Sequence, residues 1–313
     1  MKYLITGCYG FVGGYLVSHL LQEQPAATVI AVDRETAPAG FPSVTVSYCI
    51  DLLDLDACAD VIKRESPEYI VHLASFSSVA FSWRDPIASF SNNTNIFLNL
   101  LECVRRFSPR SRILSVGSSE EYGLVDTDAL PLRETSPLRP ISPYGVARVA
   151  QEHLGEVYVR GFGLDIVSTR SFNHLGPGQT DKFVISAIAK QFAEIAKGKR
   201  KQLMVGTASV VRDFLDVRDV VRAYQLLLAK GVAGQVYNVC SGRAVSIAAA
   251  IEMLGAASKV HPEIVTDPAL VRPIENTMVV GSHDKLTEAV GWRPTYSLED
   301  SLRQVYDHWC ERV

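Results

Sequence analysis

Directly after the apolar run Lys2 to Thr6 the chain reads Gly7-Cys8-Tyr9-Gly10-Phe11-Val12-Gly13, and the helix-period stretch that this turn opens places Val12, Leu16, Leu20 and Leu21 on one face. A strand, a G-x-x-G-x-x-G turn and a helix in that order admit few folds. The glycines permit a tight turn and close backbone approach, Gly13 lets the helix pack on the strand, and the helix N-terminus presents N–H groups to a pyrophosphate. Twenty residues beyond Gly13, at the end of a second strand-like run, Asp33 is placed to accept hydrogen bonds from adenosine ribose hydroxyls. Strand, turn, helix and acid in register predict a dinucleotide site for NAD(H) or NADP(H). Asp33 would repel a 2′-phosphate and Arg34 would pair with one, so the two oppose each other, with the balance leaning toward NAD. Asp51, in Cys-Ile-Asp-Leu-Leu, either reaches the adenine amino group or caps a helix. Phe11, Val12, Leu52, Leu73 and Ala74 complete the expected cofactor contacts.

The runs Thr28 to Asp33, Tyr69 to Leu73, Arg112 to Gly117 and Leu164 to Thr169 also read as strands, with helix-period segments between them. This alternation predicts an α/β fold, a Rossmann-type doubly wound parallel sheet with a smaller, discontinuous C-terminal substrate domain. From about Ser171 the alternation loosens into Gly- and Pro-bearing segments such as residues 174–179 and 267–275. Asp213 to Lys230 reads as helix and Gln235 to Cys240 as strand, and both can return to the first sheet. The expected division assigns 1–170, with 213–240 returning, to the NAD(P)-binding domain, and 171–212 with 241–313 to the second.

The 313 residues, 47% hydrophobic and 21% charged, suffice for a large and a smaller domain, each with its own core. A formal net charge of -3, with Lys and Arg spread along the chain, argues against nucleic acid and anionic membranes as partners. The N-terminus lacks the basic start and long apolar core of a secretory signal, and no apolar run approaches ~20 residues, so a cytoplasmic address is expected. The six cysteines (Cys8, Cys49, Cys58, Cys103, Cys240, Cys310) form no CxxC pair, which disfavours a metal site and a disulfide framework. Most are expected in the core; Cys8, at a helix N-terminus that would favour its thiolate, is the one with a reactive reading.

Ser142-Pro143-Tyr144-Gly145-Val146-Ala147-Arg148 predicts a helix start, with Ser142 as cap and Pro143 in the first turn. Tyr144 and Arg148 then share a face. A phenol is a poor acid or base near neutrality, and a fixed cation beside it favours the phenolate and makes proton transfer feasible. Upstream, Gly117-Ser118-Ser119-Glu120-Glu121-Tyr122-Gly123 puts the Ser118 hydroxyl at a predicted strand end, the edge at which open α/β sheets bind ligands. The plainer alternative makes Tyr144 a half-buried aromatic and Arg148 a solvated helix residue.

On these motifs the chain resembles the extended short-chain dehydrogenase/reductase superfamily over essentially its whole length. The resemblance implies a catalytic Ser118 and a Tyr-x-x-x-Lys pair, in which Arg148 here replaces the lysine. The family lysine tunes the tyrosine and hydrogen-bonds the nicotinamide ribose; arginine offers charge and donors for both, but stays charged and cannot pass a proton on. Asn93, in FSNNTNIFLNLLE, matches the family asparagine, yet the usual Gly-Thr after it is Ile96-Phe97, and a structural asparagine fits as well as a catalytic one. Helices around Pro86 to Phe107 and Pro143 to Gly161 imply a homodimer through a four-helix interface, as in the superfamily.

A narrower resemblance runs through Arg170 to Gln179, Phe183-Val184, Val211-Arg212-Asp213-Phe214, Val236 to Gly242, Arg272-Pro273-Ile274-Glu275 and Gly291-Trp292-Arg293-Pro294. These look like the 4,6-dehydratases of GDP-mannose and the GDP-4-keto-6-deoxy-D-mannose reductases. A GDP-linked sugar substrate is implied, with Arg212 and Arg272 as cationic forks, Asn173 near the phosphates, Glu275 for ribose or base donors, and Phe183 and Val184 in the same site. A dehydratase needs an acid to expel the C6 hydroxyl, and Ser118-x-Glu120 approximates its Thr-x-Glu pattern, but reductases of this branch also resemble SSEEYG. The NHLGPGQ segment, the compact length and the lack of an Arg- and Ser-rich insertion after Asp33 favour the reductase. The expected chemistry is hydride transfer to the C4 keto group, with Tyr144 donating the proton, Ser118 holding the carbonyl oxygen and Arg148 clamping the nicotinamide ribose. A catalytically idle NAD(P)-binding regulator is the third reading, motivated by Arg148 and the altered surroundings of Asn93.

Overall fold

The protein is described by a computed structural model covering residues 1–271, 274 and 276–313. Its first part alternates β1 (Lys2–Thr6), α1 (Phe11–Glu23), β2 (Thr28–Asp33), β3 (Val46–Cys49), α2 (Leu55–Glu65), β4 (Tyr69–His72), α3 (Val79–Arg84), α4 (Pro86–Phe107), β5 (Arg112–Ser118), α5 (Pro143–Phe162) and β6 (Asp165–Ser171). Next come β7 (Asn173–Leu175), α6 (Val184–Ala196), β8 (Gln202–Val205), β9 (Val211–Arg212), β10 (Phe214–Asp216), α7 (Val217–Lys230) and β11 (Val236–Val239). The chain ends with β12 (Val245–Ser246), α8 (Ile247–Ser258), β13 (Glu263–Thr266), β14 (Met278–Val279), α9 (Asp284–Val290) and α10 (Leu298–Cys310).

Seven parallel strands form the central sheet in the order β11-β6-β5-β4-β1-β2-β3. Near-continuous apolar runs such as TVIAVD in β2 suit strands covered on both faces. One face packs on α1 and α7 through Leu16, Leu20, Val221 and Tyr224; the other buries Ile62, Phe97, Leu100 and Ile166 beneath α2, α4 and α5. A side chain of that size contributes about 1.5–3 kcal/mol when fully buried. Strand order reverses across β1 and β4, so the crevice at their carboxyl ends is where this topology accepts ligands.

Local signals set the ends of the helices that carry the site. Ser142 caps α5 by accepting the Gly145 N–H at 3.0 Å, and Gly163 ends it with φ 70°. Asp54, not Asp51, caps α2: its Oδ1 accepts the N–H groups of Asp56 and Ala57. The expected helix from Asp213 is shortened at its start. Phe214 to Asp216 pair in parallel with Asn173 to Leu175, and α7 begins at Val217, where the Asp216 carboxylate accepts the Arg218 N–H. Strand β11 joins the edge of the main sheet beside β6, and a separate core under α6, α8 and α10 holds Phe192, Leu254 and Leu302.

Candidate active site

The glycine turn meets the chain after β4 at the ligand-binding edge. Gly7 sits at φ +65°, and a Cβ there would lie 2.7 Å from the Ala74 amide nitrogen; a Cβ at Gly13 would lie 2.0 Å from the Cys8 carbonyl oxygen. Gly10 differs, because its Cβ would meet only the Gly7 carbonyl, at 3.2 Å. As N-cap of α1 it offers no side-chain acceptor, so the first-turn N–H groups, including those of Phe11 and Val12, stand without a capping oxygen. A bare loop around uncapped amides is a cradle that fits a dinucleotide pyrophosphate. Leu73 and Ala74 adjoin it, held by hydrogen bonds from their amides to Thr6.

Asp33 stands at the end of β2 and accepts the Tyr9 N–H at 2.9 Å and the Arg34 N–H at 2.7 Å, which tethers it to the turn. Arg34 lies 4.0 Å from Asp51 and 5.0 Å from the Phe76 ring centre, placing charge and an aromatic face beside that carboxylate. Asp51 also accepts the Leu53 N–H, and Leu52 is buried.

At the next strand end the Ser118 N–H donates to Glu121 Oε1 at 2.7 Å, and the Ser118 hydroxyl accepts the Glu120 N–H at 3.2 Å. This segment touches the first turn of α5, where a Cβ on Gly145 would fall 2.7 Å from the Glu120 carbonyl oxygen. Tyr144 is buried there, and Arg148 Nε donates to its oxygen at 3.1 Å. Arg148 Nη1 donates to the Val116 carbonyl at 3.0 Å, on the strand that carries Ser118. Phenol and guanidinium are thus held together on α5 against β5, the strand that ends at Ser118, two residues beyond Val116. Asn93 is engaged elsewhere: its Oδ1 accepts the Phe76 N–H at 2.8 Å and its Nδ2 donates to the Phe76 carbonyl at 3.1 Å, clamping the segment after Ala74 to α4.

A cleft opens beside Ser119 and Glu120, lined across from them by Trp83, Asn173, Arg212 and Ile274. Arg212 Nη1 donates to the carbonyls of Val211 and Asn276, which fixes its guanidinium at the rim. Beneath it the buried Asp213 carboxylate gathers the N–H groups of Ser241, Gly242 and Gly281. Phe183 and Val184 are exposed at the start of α6 and are not among the residues lining this cleft. Arg272 and Glu275 lie outside the described residues.

Known proteins resemble this chain over essentially its whole length. The family model described as GDP-mannose 4,6 dehydratase matches residues 4–305. The chain belongs to this family. Within it, the GDP-6-deoxy-D-mannose reductase of Pseudomonas aeruginosa is 37% identical, covering 100% of this chain and 98% of that protein. The solved structure of RMD from Pseudomonas aeruginosa complexed with NADPH superposes with a TM-score of 0.89 at 36% identity, covering 100% and 99% of the two chains. The UDP-glucose 4-epimerase of Thermus thermophilus, in complex with NAD, gives 0.89 at 29% identity over 100% of both. Membership of the extended short-chain dehydrogenase/reductase superfamily, and its Rossmann-type α/β fold, are established by these matches.

Against that family background three features of the site were hidden in the sequence. Gln151, fully buried on the Tyr144 face of α5, hydrogen-bonds Arg148; a second polar residue one turn beyond Arg148 on that face was the available signal. Glu121 is completely buried 3.8 Å from Arg170, and its neighbour Gly117 has no room for a side chain because a Cβ would sit 2.3 Å from Glu121 Oε1. Trp83, 46% exposed, comes to the cleft on the short helix α3, which carries no periodic pattern to announce it. The reactive reading of Cys8 does not survive: the thiol is wholly buried, and burial followed by the Asp33 charge pushes it up to about 12. Cys58, Cys103 and Cys240 are also buried, whereas Cys49 is exposed and Cys310 partly so. Among the described residues no group of His, Cys, Asp and Glu is arranged to hold a metal ion, and no helix is long and apolar enough to cross a membrane.

Proposed function

We propose that this protein reduces the C4 keto group of a GDP-linked 4-keto-6-deoxy sugar, using NADH or NADPH and giving a product of the GDP-D-rhamnose type. The buried Tyr144 phenol, hydrogen-bonded by the Arg148 guanidinium beside the Ser118 strand end, carries this reading. The full-length likeness to a GDP-6-deoxy-D-mannose reductase supplies the substrate class. When bound, the reduced nicotinamide supplies the hydride. Gly7, Gly10 and Gly13 with the amides of α1 would hold its pyrophosphate, and Asp33, Arg34 and Asp51 the adenosine end. Tyr144 gives its proton to the oxygen of the carbonyl being reduced, while the Ser118 hydroxyl donates to that oxygen and keeps it in place. Arg148 stabilises the phenolate left behind and offers donors to the nicotinamide ribose. Asn93 acts by fixing the segment after Ala74. Arg212 and Asn173, on the cleft lining, would meet the nucleotide diphosphate; the same reading assigns to the sugar nucleotide Arg272, Glu275 and, from outside that lining, Phe183 and Val184.

The residues 1–170 with 213–240 form the cofactor domain in this reading, and 171–212 with 241–313 the sugar-nucleotide domain. Exposed apolar residues on α4 and α5, among them Ile87, Phe90 and Val157, support a homodimer, and the address is cytoplasmic. The test is oxidation of reduced cofactor with GDP-4-keto-6-deoxy-D-mannose, abolished in Tyr144→Phe; a parental rate in that variant removes Tyr144 from the role. Glu120, on the cleft wall, favours a second reading as a 4,6-dehydratase, in which it would assist loss of the C6 hydroxyl. Consumption of GDP-mannose itself with loss of water would decide for that reading.

A further inference from the structure

Gln151 lies three residues beyond Arg148 and seven beyond Tyr144, on the same face of α5, and is only 1% exposed. Its Oε1 accepts Arg148 Nη1–H at 2.5 Å, and its Nε2 donates to Ser115 Oγ at 2.8 Å and to the Val116 carbonyl at 3.2 Å. The amide orientation is dictated by chemistry, since a guanidinium has no acceptor and must meet the oxygen end. Val116 O accepts from the same Nη1 at 3.0 Å, so Arg148 is gripped by two acceptors on one nitrogen and meets Tyr144 with another.

We propose that Gln151 is a positioning residue for proton transfer: it fixes the Arg148 guanidinium against Tyr144 and, being neutral, does so without cancelling the charge that the phenol senses. This rests on the reading of Tyr144 as the proton donor. A carboxylate in that place would make a stronger hydrogen bond to arginine, but its charge would offset the guanidinium. His72, Tyr224 and Glu120 also stand beside the pair. His72, from β4, is held neutral, pushed down to about 3 by burial and then by Arg148. Tyr224, from α7, is pushed up by burial and hydrogen-bonded to Ser171 at 2.7 Å. Glu120 stands on the segment after β5, at the cleft. Gln151 also explains how an arginine works where the superfamily pattern has lysine: its extra nitrogen needs an acceptor of its own, and Gln151 and Val116 provide it.

The test compares Gln151→Glu, Gln151→Leu and Tyr144→Phe. Tyrosines isotope-labelled at Cζ are titrated by NMR in the protein without cofactor, Tyr144 being assigned by its loss in Tyr144→Phe. The pH profile of kcat/KM is measured in parallel with GDP-4-keto-6-deoxy-D-mannose. Ketone reduction needs the protonated phenol, so the rate falls on the basic side. In the near-isosteric Gln151→Glu, both the Tyr144 titration and that basic limb move upward by about one pH unit, the scale of one added charge at this range. Gln151→Leu, which removes one of the two acceptors that grip Arg148, loses about tenfold in kcat. Should the leucine variant fail to fold, the glutamate variant carries the test alone. Unmoved titration and pH limb in Gln151→Glu, with Tyr144→Phe inactive, overturns the role of Gln151. A parental rate in Tyr144→Phe overturns the tyrosine reading, and the inference with it.

Discussion

Arg148 reaches one turn back along α5 to donate its Nε–H to the Tyr144 oxygen at 3.1 Å, its guanidinium carbon 5.1 Å from the centre of the phenol ring. A lysine has a single nitrogen at this depth. It can meet the phenol or the Val116 and Gln151 acceptors, and the group left behind is a buried polar atom without a partner, at a cost of about 1–3 kcal/mol. Arg148→Lys is therefore expected to lower the melting temperature by a few degrees while keeping part of the activity. Arg148→Met, which removes the charge, should lower kcat by about 100-fold. Melting curves and steady-state kinetics on both variants check this, and a methionine variant with parental kcat would exclude Arg148 from the chemistry.

Glu121 holds the Ser118 amide from a site without solvent. Burial, then the nearby Glu152 carboxylate, raises its carboxyl well above the usual range, although Arg170 opposes this from 3.8 Å. A group raised on folding gives its full contribution below the unfolded value of about 4.5 and loses it as pH rises toward the folded value. Glutamine keeps the acceptor for Ser118 and never ionises. Glu121→Gln should therefore gain stability relative to the parent as pH rises above about 4.5, while Glu121→Ala, which opens a cavity and orphans the Ser118 N–H, is destabilised by about 2–4 kcal/mol. Urea unfolding at several pH values measures both; a pH-independent difference between parent and glutamine variant would show that Glu121 ionises normally.

The parts of the site set by local chemistry were legible in the sequence. The glycine turn, Asp33 at the end of β2 and the Ser142 cap of α5 each arise from a backbone requirement stated within a few residues. The Rossmann-type sheet was readable from strand and helix periods, and β11 was foreseen as a return to it. Contacts between distant segments were not legible. Nothing near Gln151 reveals that Ser115 and Val116 await it on β5, and nothing near Glu121 tells of Arg170 on β6. The short strand β10 was read as helix because Phe214 to Asp216 directly precede an amphipathic run, and only its pairing with Asn173 to Leu175, some forty residues earlier, makes it extended.

His72 offers a pH dependence of stability that can be read separately. Its Nδ1 meets Thr6 Oγ1 at 2.9 Å, Nε2 has no partner among the described residues, and the ring packs 5.0 Å from Phe97. The folded value of about 3 lies below the ordinary 6.5. Above 6.5 neither state is protonated and stability is unaffected; as pH falls the unfolded chain takes up the proton first, and stability is lost down to the folded value. Between about pH 7 and pH 5 this amounts to about 2 kcal/mol. His72→Gln should lose about that much less than the parent over the same interval in denaturant titrations. Equal losses in both proteins would mean that His72 titrates in the folded state.

Gly10 and Gly13 separate cofactor binding from folding. At Gly13 a Cβ would stand 2.0 Å from the Cys8 carbonyl oxygen, backbone against backbone, so α1 must move off β1 to admit it. Gly13→Ala is expected to destabilise the fold by about 3 kcal/mol or more, and to lose cofactor affinity as a consequence. At Gly10 the added methyl meets only the Gly7 carbonyl, at 3.2 Å, and otherwise points into the space beside the uncapped amides of α1. Gly10→Ala should melt within a few degrees of the parent and still bind NADPH about tenfold more weakly or worse, because the methyl occupies the approach of the pyrophosphate. Calorimetric titration with NADPH beside a melting curve distinguishes the two effects. A Gly10→Ala protein that binds NADPH as the parent does would mean that the pyrophosphate does not rest on this turn.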